Sequence, residues 1–390
     1  MKVYKGFKYR LNPTEYQHNA LKQHAGNTRF LWNHLLSENI EYYKKEKKFN
    51  FGYVMITSLP KLKKEFDFLN LSFSQSLQSV GRQLNQTLSR FLKEHKSNPK
   101  IGFPVFKKKS LEKDSFHCPQ KWYVCKSFVQ IPKIGKVKWI KHRNMEGKPK
   151  SITITQDGDH WYCSVLCEVI VKEKKFEKDN LVGIDVGLKN FAMFSDGDKI
   201  KRERFIKKYE KELTKAQRKL SKKVNGSNNK QKQRKKVQAV HRKIRNSRKD
   251  FLNKATHYIT TKYDGVCLES LNVKGMMKNH KLSKSIGDAS WFEFKRQLQY
   301  KCSWNFKHFI EIDQWFPSSK LCSSEGCGIV NKDLTLKDRI WTCICGIKHN
   351  RDLNAAINIL REGKKILLDK EKFMLVEEHK HVLLKQEKET

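Results

Sequence analysis

The chain has 390 residues, 82 Lys and Arg against 40 Asp and Glu, and a formal charge of +42. Self-repulsion on that scale calls for a polyanionic partner, with nucleic acid ahead of an acidic membrane surface. No apolar run approaches the ~18 residues of a spanning helix, and the charged start MKVYKGFKYRL has no signal-peptide core, so a soluble intracellular protein of two or three domains is expected.

Val3, Phe7, Tyr9 and Leu11 alternate with Lys2, Lys8 and Arg10, which predicts a strand with one basic face. Asn12-Pro13 breaks it, and Thr14 with Gln17 reads as a capping box for a helix through Leu21. Gly26-Asn27 is expected to separate that helix from a second over 28–46, and a third is expected over 73–94 on Leu77, Val80, Leu84, Leu88 and Leu92. Most apolar residues of this lobe are core; its polar faces, with Arg29, Gln83 and Asn85, are candidates for nucleic-acid contact. At Pro99 the composition changes. GFPVFKKKS reads as an extended basic linker, and short β-rich runs with a hairpin at Asp157-Gly158 predict a small barrel. Trp122, Tyr123, Trp139 and Trp161 could stack bases on Lys-rich strands, but most are expected in the barrel core. Cys118, Cys125, Cys163 and Cys167 form no tight ligand pair and read as buried thiols.

Leu181–Gly197, LVGIDVGLKNFAMFSDG, reads as two apolar strands joined by a Gly-bearing turn. Asp185 is the anomaly, because a carboxylate in an apolar strand is costly to bury without a charge, a donor or a metal. From Lys199 to Asp250 there are 22 Lys or Arg against 4 Asp or Glu. Ile206, Tyr209, Leu213, Ala216 and Leu220, then Val237, Ile244, Phe251 and Tyr258, predict a helical hairpin turned at 225–229. Its exterior, with Lys207, Lys208, Arg218, Arg234, Lys235, Arg242 and Arg245, lacks balancing acids and reads as a polyanion-binding face.

Glu269 ends the short strand Val266-Cys267-Leu268; Ser290 is expected to cap a helix from Trp291, and IDQWFP to form a strand. Cys322, Cys327, Cys343 and Cys345 have the plan of a zinc ribbon, four thiolates on two knuckles in a structural role. Gaps of four and one residues depart from the usual two, so His349 replacing Cys345, and thiols without metal, stay open. Asp352 lies in the first turn of a helix on Leu353, Ala356, Ile357 and Leu360, where the dipole alone would favour an acid. Arg351 beside it is either a neutralising charge or a surface ion pair. Residues 362–390 leave a docking helix and a disordered tail both open.

One Asp in a strand, one Glu at a strand end and one Asp opening a late helix can converge at one end of a mixed sheet. Three clustered carboxylates demand counter-charge, which hard divalent cations supply. Two such ions about 4 Å apart serve phosphodiester cleavage.

GIDVGLKNFAMFSDG, CLESLNVKGMMKN and HNRDLNAAINIL resemble the three split parts of a RuvC-type nuclease. Their order and surroundings resemble TnpB, the family of transposon-encoded RNA-guided DNA endonucleases related to type V CRISPR effectors. KGFKYRLNPT with RFLWNHLL, GFPVFKKKS, DASWFEFKRQLQYKC and WFPSSKLCS resemble further blocks of that family, so the likeness runs to about Leu360. The resemblance implies that Asp185, Glu269 and Asp352 are catalytic and hold two Mg²⁺. It implies cleavage of double-stranded DNA, directed by a guide RNA from the transposon end and licensed by a short flanking motif. The implied fold is multidomain α+β: an RNase H-like (RuvC) α/β nuclease domain with an inserted helical hairpin and zinc ribbon, preceded by a small β-barrel (wedge) domain carrying a helical recognition lobe. The expected boundaries are 1–12 and 99–178 for the wedge, 13–98 for the lobe, and 179–205, 263–316 and 349–361 for the RuvC parts. The hairpin takes 206–262, the ribbon 317–348 and the tail 362–390. A nuclease-inactive RNA-guided DNA-binding regulator and an RNase H-like transposase acting in strand transfer are the alternatives. The expected location is cytoplasmic, with the nucleoid, in a prokaryote, or nuclear for a eukaryotic relative; no membrane partner is expected.

Overall fold

The computed structural model describes residues 1–109, 114–171, 180–335 and 337–386, the last stretch from 370 by its backbone alone. The chain divides into two compact units, 1–170 and 171–390. The expected wedge boundary at 178–179 lies outside the described residues.

The first unit contains β1 (Lys2–Asn12), α1 (Glu15–Glu46), α2 (Gly52–Thr57), α3 (Leu59–Glu65), α4 (Ser74–Glu94), β2 (Ser115–Cys118), β3 (Tyr123–Val124), β4 (Phe128–Ile131), β5 (Gly135–Ile140), β6 (Lys148–Asp157) and β7 (His160–Ile170). The strand order is β2-β6-β7-β1-β5-β4-β3, so β1 sits between strands that come more than a hundred residues later. The ladder is open between β2 and β3 among the described residues, a half-barrel rather than the closed barrel expected. Tyr9, Trp139 and Trp161 are buried, whereas Tyr123 is exposed. Cys118, Cys163 and Cys167 are buried free thiols.

Thr14 and Gln17 do make a reciprocal capping box. The expected break at Gly26-Asn27 is absent, and α1 is one helix. Asn27 is buried and spends its amide on Phe68 O and Ser72 Oγ instead of on a turn. The chain between α1 and α4, where no element was expected, forms α2, α3 and a short 3₁₀ turn that close the apolar faces of those two helices. Two of the polar candidates have structural work: Arg29 pairs with Asp114, and Asn85 accepts from Gly52 N–H. Gln83 stays exposed. The basic linker lies along α1, where Trp32 Nε1 donates to Val105 O and Asn33 exchanges hydrogen bonds with Lys107.

The second unit contains β8 (Leu181–Val186), β9 (Asn190–Phe194), β10 (Lys199–Lys201), α5 (Phe205–Ser221), α6 (Asn228–Lys262), β11 (Gly265–Glu269), α7 (Val273–Met276), α8 (His280–Ala289), α9 (Trp291–Trp304), β12 (His308–Ile312), β13 (Ile340–Thr342), β14 (Lys348–Asn350) and α10 (Arg351–Gln386). Its main sheet has the order β10-β9-β8-β11-β12. β8, β11 and β12 run parallel, and the hairpin strands β9 and β10 are antiparallel. Val182, Ile184, Val266 and Leu268 point into a core closed by Leu252 and Ile259 of α6, Ile286 of α8, and Phe294 and Leu298 of α9. Gly183 and Cys267, on the opposite face, meet α10. Helices on both faces explain the near-continuous apolar runs of these strands.

Two expectations in this unit are corrected. Ser290 carries no side-chain cap; it is a left-handed junction (φ 55°) between α8 and α9. The strand expected at IDQWFP lies upstream as β12, because the HFIEI residues are the ones that pair with β11. Of the two alternatives left open from 362, the helical one is seen, as a continuation of α10 to Gln386. The hairpin packs on Phe205, Val240 and Ile244, with Ile206, Tyr209, Leu213 and Phe251 beside them. Arg248 and Ile206 N–H both bind Asp288, which ties its base to α8.

Candidate metal and nuclease centre

Asp185 and Glu269 are brought together by strand register. β8 and β11 pair in parallel through Leu268↔Ile184, so the next residue on each strand is one of the two acids. Side chains alternate along a strand, so both acids share the face of Gly183 and Cys267. That face carries α10. A Cβ on Gly183 would lie 2.1 Å from Ala356 O, and one on Gly363 would lie 2.2 Å from Cys267 Sγ. Glycine at both positions therefore lets helix and sheet touch by backbone. Asp185 lies two strand residues past Gly183, roughly 6.6 Å along β8. Asp352 lies four helix residues before Ala356, about 6 Å along α10. The Asp352 charge acts on Asp185, so the start of α10 lies near the carboxyl end of β8.

Burial pushes the Asp185 carboxyl up to about 8, with the Asp352 and Glu269 charges adding to the effect and Arg351 and Arg339 opposing it. Burial also raises Glu269, to about 6, against a hydrogen bond from Ser318. Asp352 has Arg339 Nη1 at 3.5 Å from its Oδ1. The expected neighbour Arg351 instead binds Thr335 O at 3.1 Å and acts on Asp185 through space. Asn350 Oδ1 accepts from the N–H groups of Asp352 and Leu353, capping the helix that carries the third acid. Among the described residues, the group of three or more candidate ligands that gathers tightly is the four cysteines, whose sulfurs all lie within 4.8 Å of one another.

Cys322, Cys327, Cys343 and Cys345 gather despite their irregular spacing and could bind a zinc ion. Cys322 and Cys345 sulfurs are 3.8 Å apart, and those of Cys327 and Cys343 are 3.6 Å apart. A tetrahedron with Zn–S of about 2.3 Å has sulfur pairs about 3.8 Å apart. The two extra residues of the first knuckle are absorbed by Gly326 and Gly328, both at positive φ, while Cys322 N–H reaches Ile329 O at 2.9 Å. The second knuckle closes through Gly346 N–H to Cys343 O at 2.8 Å. The four sulfurs gather without His349, whose Nε2 lies 3.1 Å from Cys322 Sγ and whose ring packs on Trp341.

Asn354 and Asn358 were missed in the sequence. Both are buried in α10. Asn354 Nδ2 donates to Leu321 O at 2.7 Å and its Oδ1 accepts from Ser323 N–H at 2.9 Å. Asn358 Nδ2 donates to Leu321 O at 2.6 Å and to Ser318 O at 2.9 Å. The strap bearing Ser318 and Cys322 is thus clamped to the helix that carries Asp352. The available signal was Asn at 354 and 358, four apart on the apolar side of the helix that Asn350 caps.

Lys207, Lys208, Arg218, Arg234, Lys235 and Arg245 are exposed on the hairpin, and Arg242 is half-buried. A cleft of about 560 Å³ on α5 is lined by Lys211, Lys215, Arg218, Lys219 and Lys222, with Glu210 and Thr214. Among the described residues no helix is long and apolar enough to cross a membrane.

Three family models match the chain: "Helix-turn-helix domain" over residues 1–48, "Probable transposase" over 164–280, and "Cas12f1-like, TNB domain" over 291–359. A Streptomyces pristinaespiralis protein named "Putative RNA-guided DNA endonuclease" is 33% identical, over 93% of this chain and 90% of its own. An Escherichia coli K12 protein, "Putative RNA-guided DNA endonuclease InsQ", is 31% identical over 94% of each. The fold is similar to Cas12f1 in a complex with sgRNA and target DNA, at TM-score 0.56 and 14% identity, over 92% of this chain and 98% of that one. Near-full-length identity above 30%, with these family models laid along the same segments, makes this chain a member of the TnpB family.

Proposed function

We propose that the chain is an RNA-guided, magnesium-dependent DNA endonuclease of a transposable element, with Asp185, Glu269 and Asp352 as its catalytic acids. The observation that carries this reading is the parallel register of β8 and β11, which sets Asp185 beside Glu269 on the face packed by α10, the helix of Asp352; burial and the two other acids push the Asp185 carboxyl up. A fold gains nothing from such an arrangement unless a cation offsets it. Three oxygen donors of one charge suit a hard cation, so the residues fit Mg²⁺. Two bound ions would supply the positive charge that acidifies an attacking water and stabilises the departing 3′ oxygen. The chain's own part is to hold the acids ready. Ser318 orients Glu269, Arg339 sits against Asp352, and Gly183 lets α10 approach β8. The strand order with α10 against β8 supports a RuvC-like reading of 179–205, 263–316 and 349–361.

The four thiols are read as the ligands of one structural Zn²⁺, bracing the strap that contacts Glu269. The hairpin cations Lys207, Lys208, Arg218, Arg234, Lys235, Arg242 and Arg245 are assigned to the guide RNA or its duplex with target DNA, held by backbone charge rather than sequence. The names of the bacterial relatives support RNA guidance and DNA as substrate, and their hosts support a cytoplasmic setting with the nucleoid. The helical lobe and half-barrel of the first unit are assigned to the flanking motif. The test is protein purified with its native RNA, given plasmid bearing the matching target and Mg²⁺. Linear product is expected, and Asp185→Ala should bind and not cut. Bound but uncut plasmid with intact protein would instead mean a regulator, and joined ends a strand-transfer enzyme.

A further inference from the structure

Of the eight tryptophans, seven are buried or half-buried, and Trp315 is 83% exposed. Its position is specific. β12 ends at Ile312, the register partner of Glu269, and Trp315 follows three residues later, within about 11 Å of chain. The backbone around it is pinned. Asp313 Oδ1 accepts from Trp315 N–H at 2.7 Å, and Phe316 N–H reaches Asp313 O at 3.3 Å. Phe316 packs with Ile310, Ile312 and Ile359, and Ser318 hydrogen-bonds Glu269. Both flanks of the loop are thus tied to the acid-bearing elements, while the indole is left in solvent. Among the described residues no ring stacks on it. A rigidly based, solvent-facing indole is what a base-stacking platform requires, and stacking tolerates any base because every base has a π-face.

We infer that Trp315 is a positioning residue that stacks on a base of the single strand entering the acid centre and holds the neighbouring phosphodiester there. The inference rests on the nuclease reading above. It predicts that Trp315→Ala leaves target binding and melting temperature unchanged and lowers the single-turnover cleavage rate about tenfold, within the range for loss of one stacked base. Trp315→Phe should restore most of the rate. Trp315→Leu, apolar but without a π-face, should not. Single abasic sites stepped along the cleaved strand should include one position at which wild type and Trp315→Ala cut equally. Equal cutting by wild type and Trp315→Ala on intact DNA, or rescue by Leu as good as by Phe, overturns the inference and leaves the nuclease reading standing. A wild-type protein that cuts nothing overturns both.

Discussion

Replacing Asp185 with Asn is expected to stabilise the magnesium-free protein. The carboxyl goes from 3.8 to about 8 in the fold. Between those values the folded state holds more protons than the unfolded state, so wild-type stability falls as pH rises from about 4 to about 8. By pH 7.5 most of that interval has been crossed, which corresponds to about 5 kcal/mol at 1.36 kcal/mol per pH unit. Water at this half-buried carboxylate and movement of its neighbours reduce that to about 2 kcal/mol. Asn has the same shape and no charge. For a unit of this size the gain is about 4–8 °C in melting temperature. Thermal melts in magnesium-free buffer, without chelator so that the cysteine cluster is undisturbed, should show the difference growing from near zero at pH 4.5 to its full value at pH 8. Mg²⁺ should narrow it by stabilising wild type. A variant that melts no higher than wild type at pH 7.5, or whose gain is the same at every pH, would refute the placement of Asp185 among like charges.

Gly183→Ala forces a methyl onto Ala356 O at 2.1 Å and Leu360 N at 2.6 Å, both backbone; a loss of about 3 kcal/mol in denaturant melts is expected, together with loss of cleavage. Cys327→Ser should lower bound zinc from about one per chain to near zero by elemental analysis and destabilise the second unit; unchanged zinc content would count against the four-thiolate reading. Lys207→Ala with Arg218→Ala should flatten the dependence of log affinity for guide RNA on log salt by about 1–2, leaving the melting temperature unchanged. An unaltered slope would remove these cations from the RNA-binding face.

The elements with strong local signals were legible in the chain itself. The capping box at Thr14, the hairpin at Asp157-Gly158 and the cationic hairpin each depend on residues close in sequence, and each forms. The acids stood out for a related reason, since a carboxylate in an apolar strand has no local justification. Local signals misled where a distant partner outbid them. Gly26-Asn27 looks like a break, but Asn27 finds Phe68 and Ser72 some forty residues away and the helix runs on.

Sequence alone determined the charge, the three acids, the four cysteines and the periodicities of the helices and strands, because these are properties of residue types and their spacing. Tertiary structure decided which end of the sheet the acids share. That follows from strand register and from two glycines that admit α10 against β8 and β11. It also decided that Arg339 rather than Arg351 meets Asp352, that Asn354 and Asn358 clamp the cysteine strap, and that one tryptophan is left outside the packing. Those outcomes are contacts between segments far apart in the chain, and no local pattern of residues encodes which of them will touch.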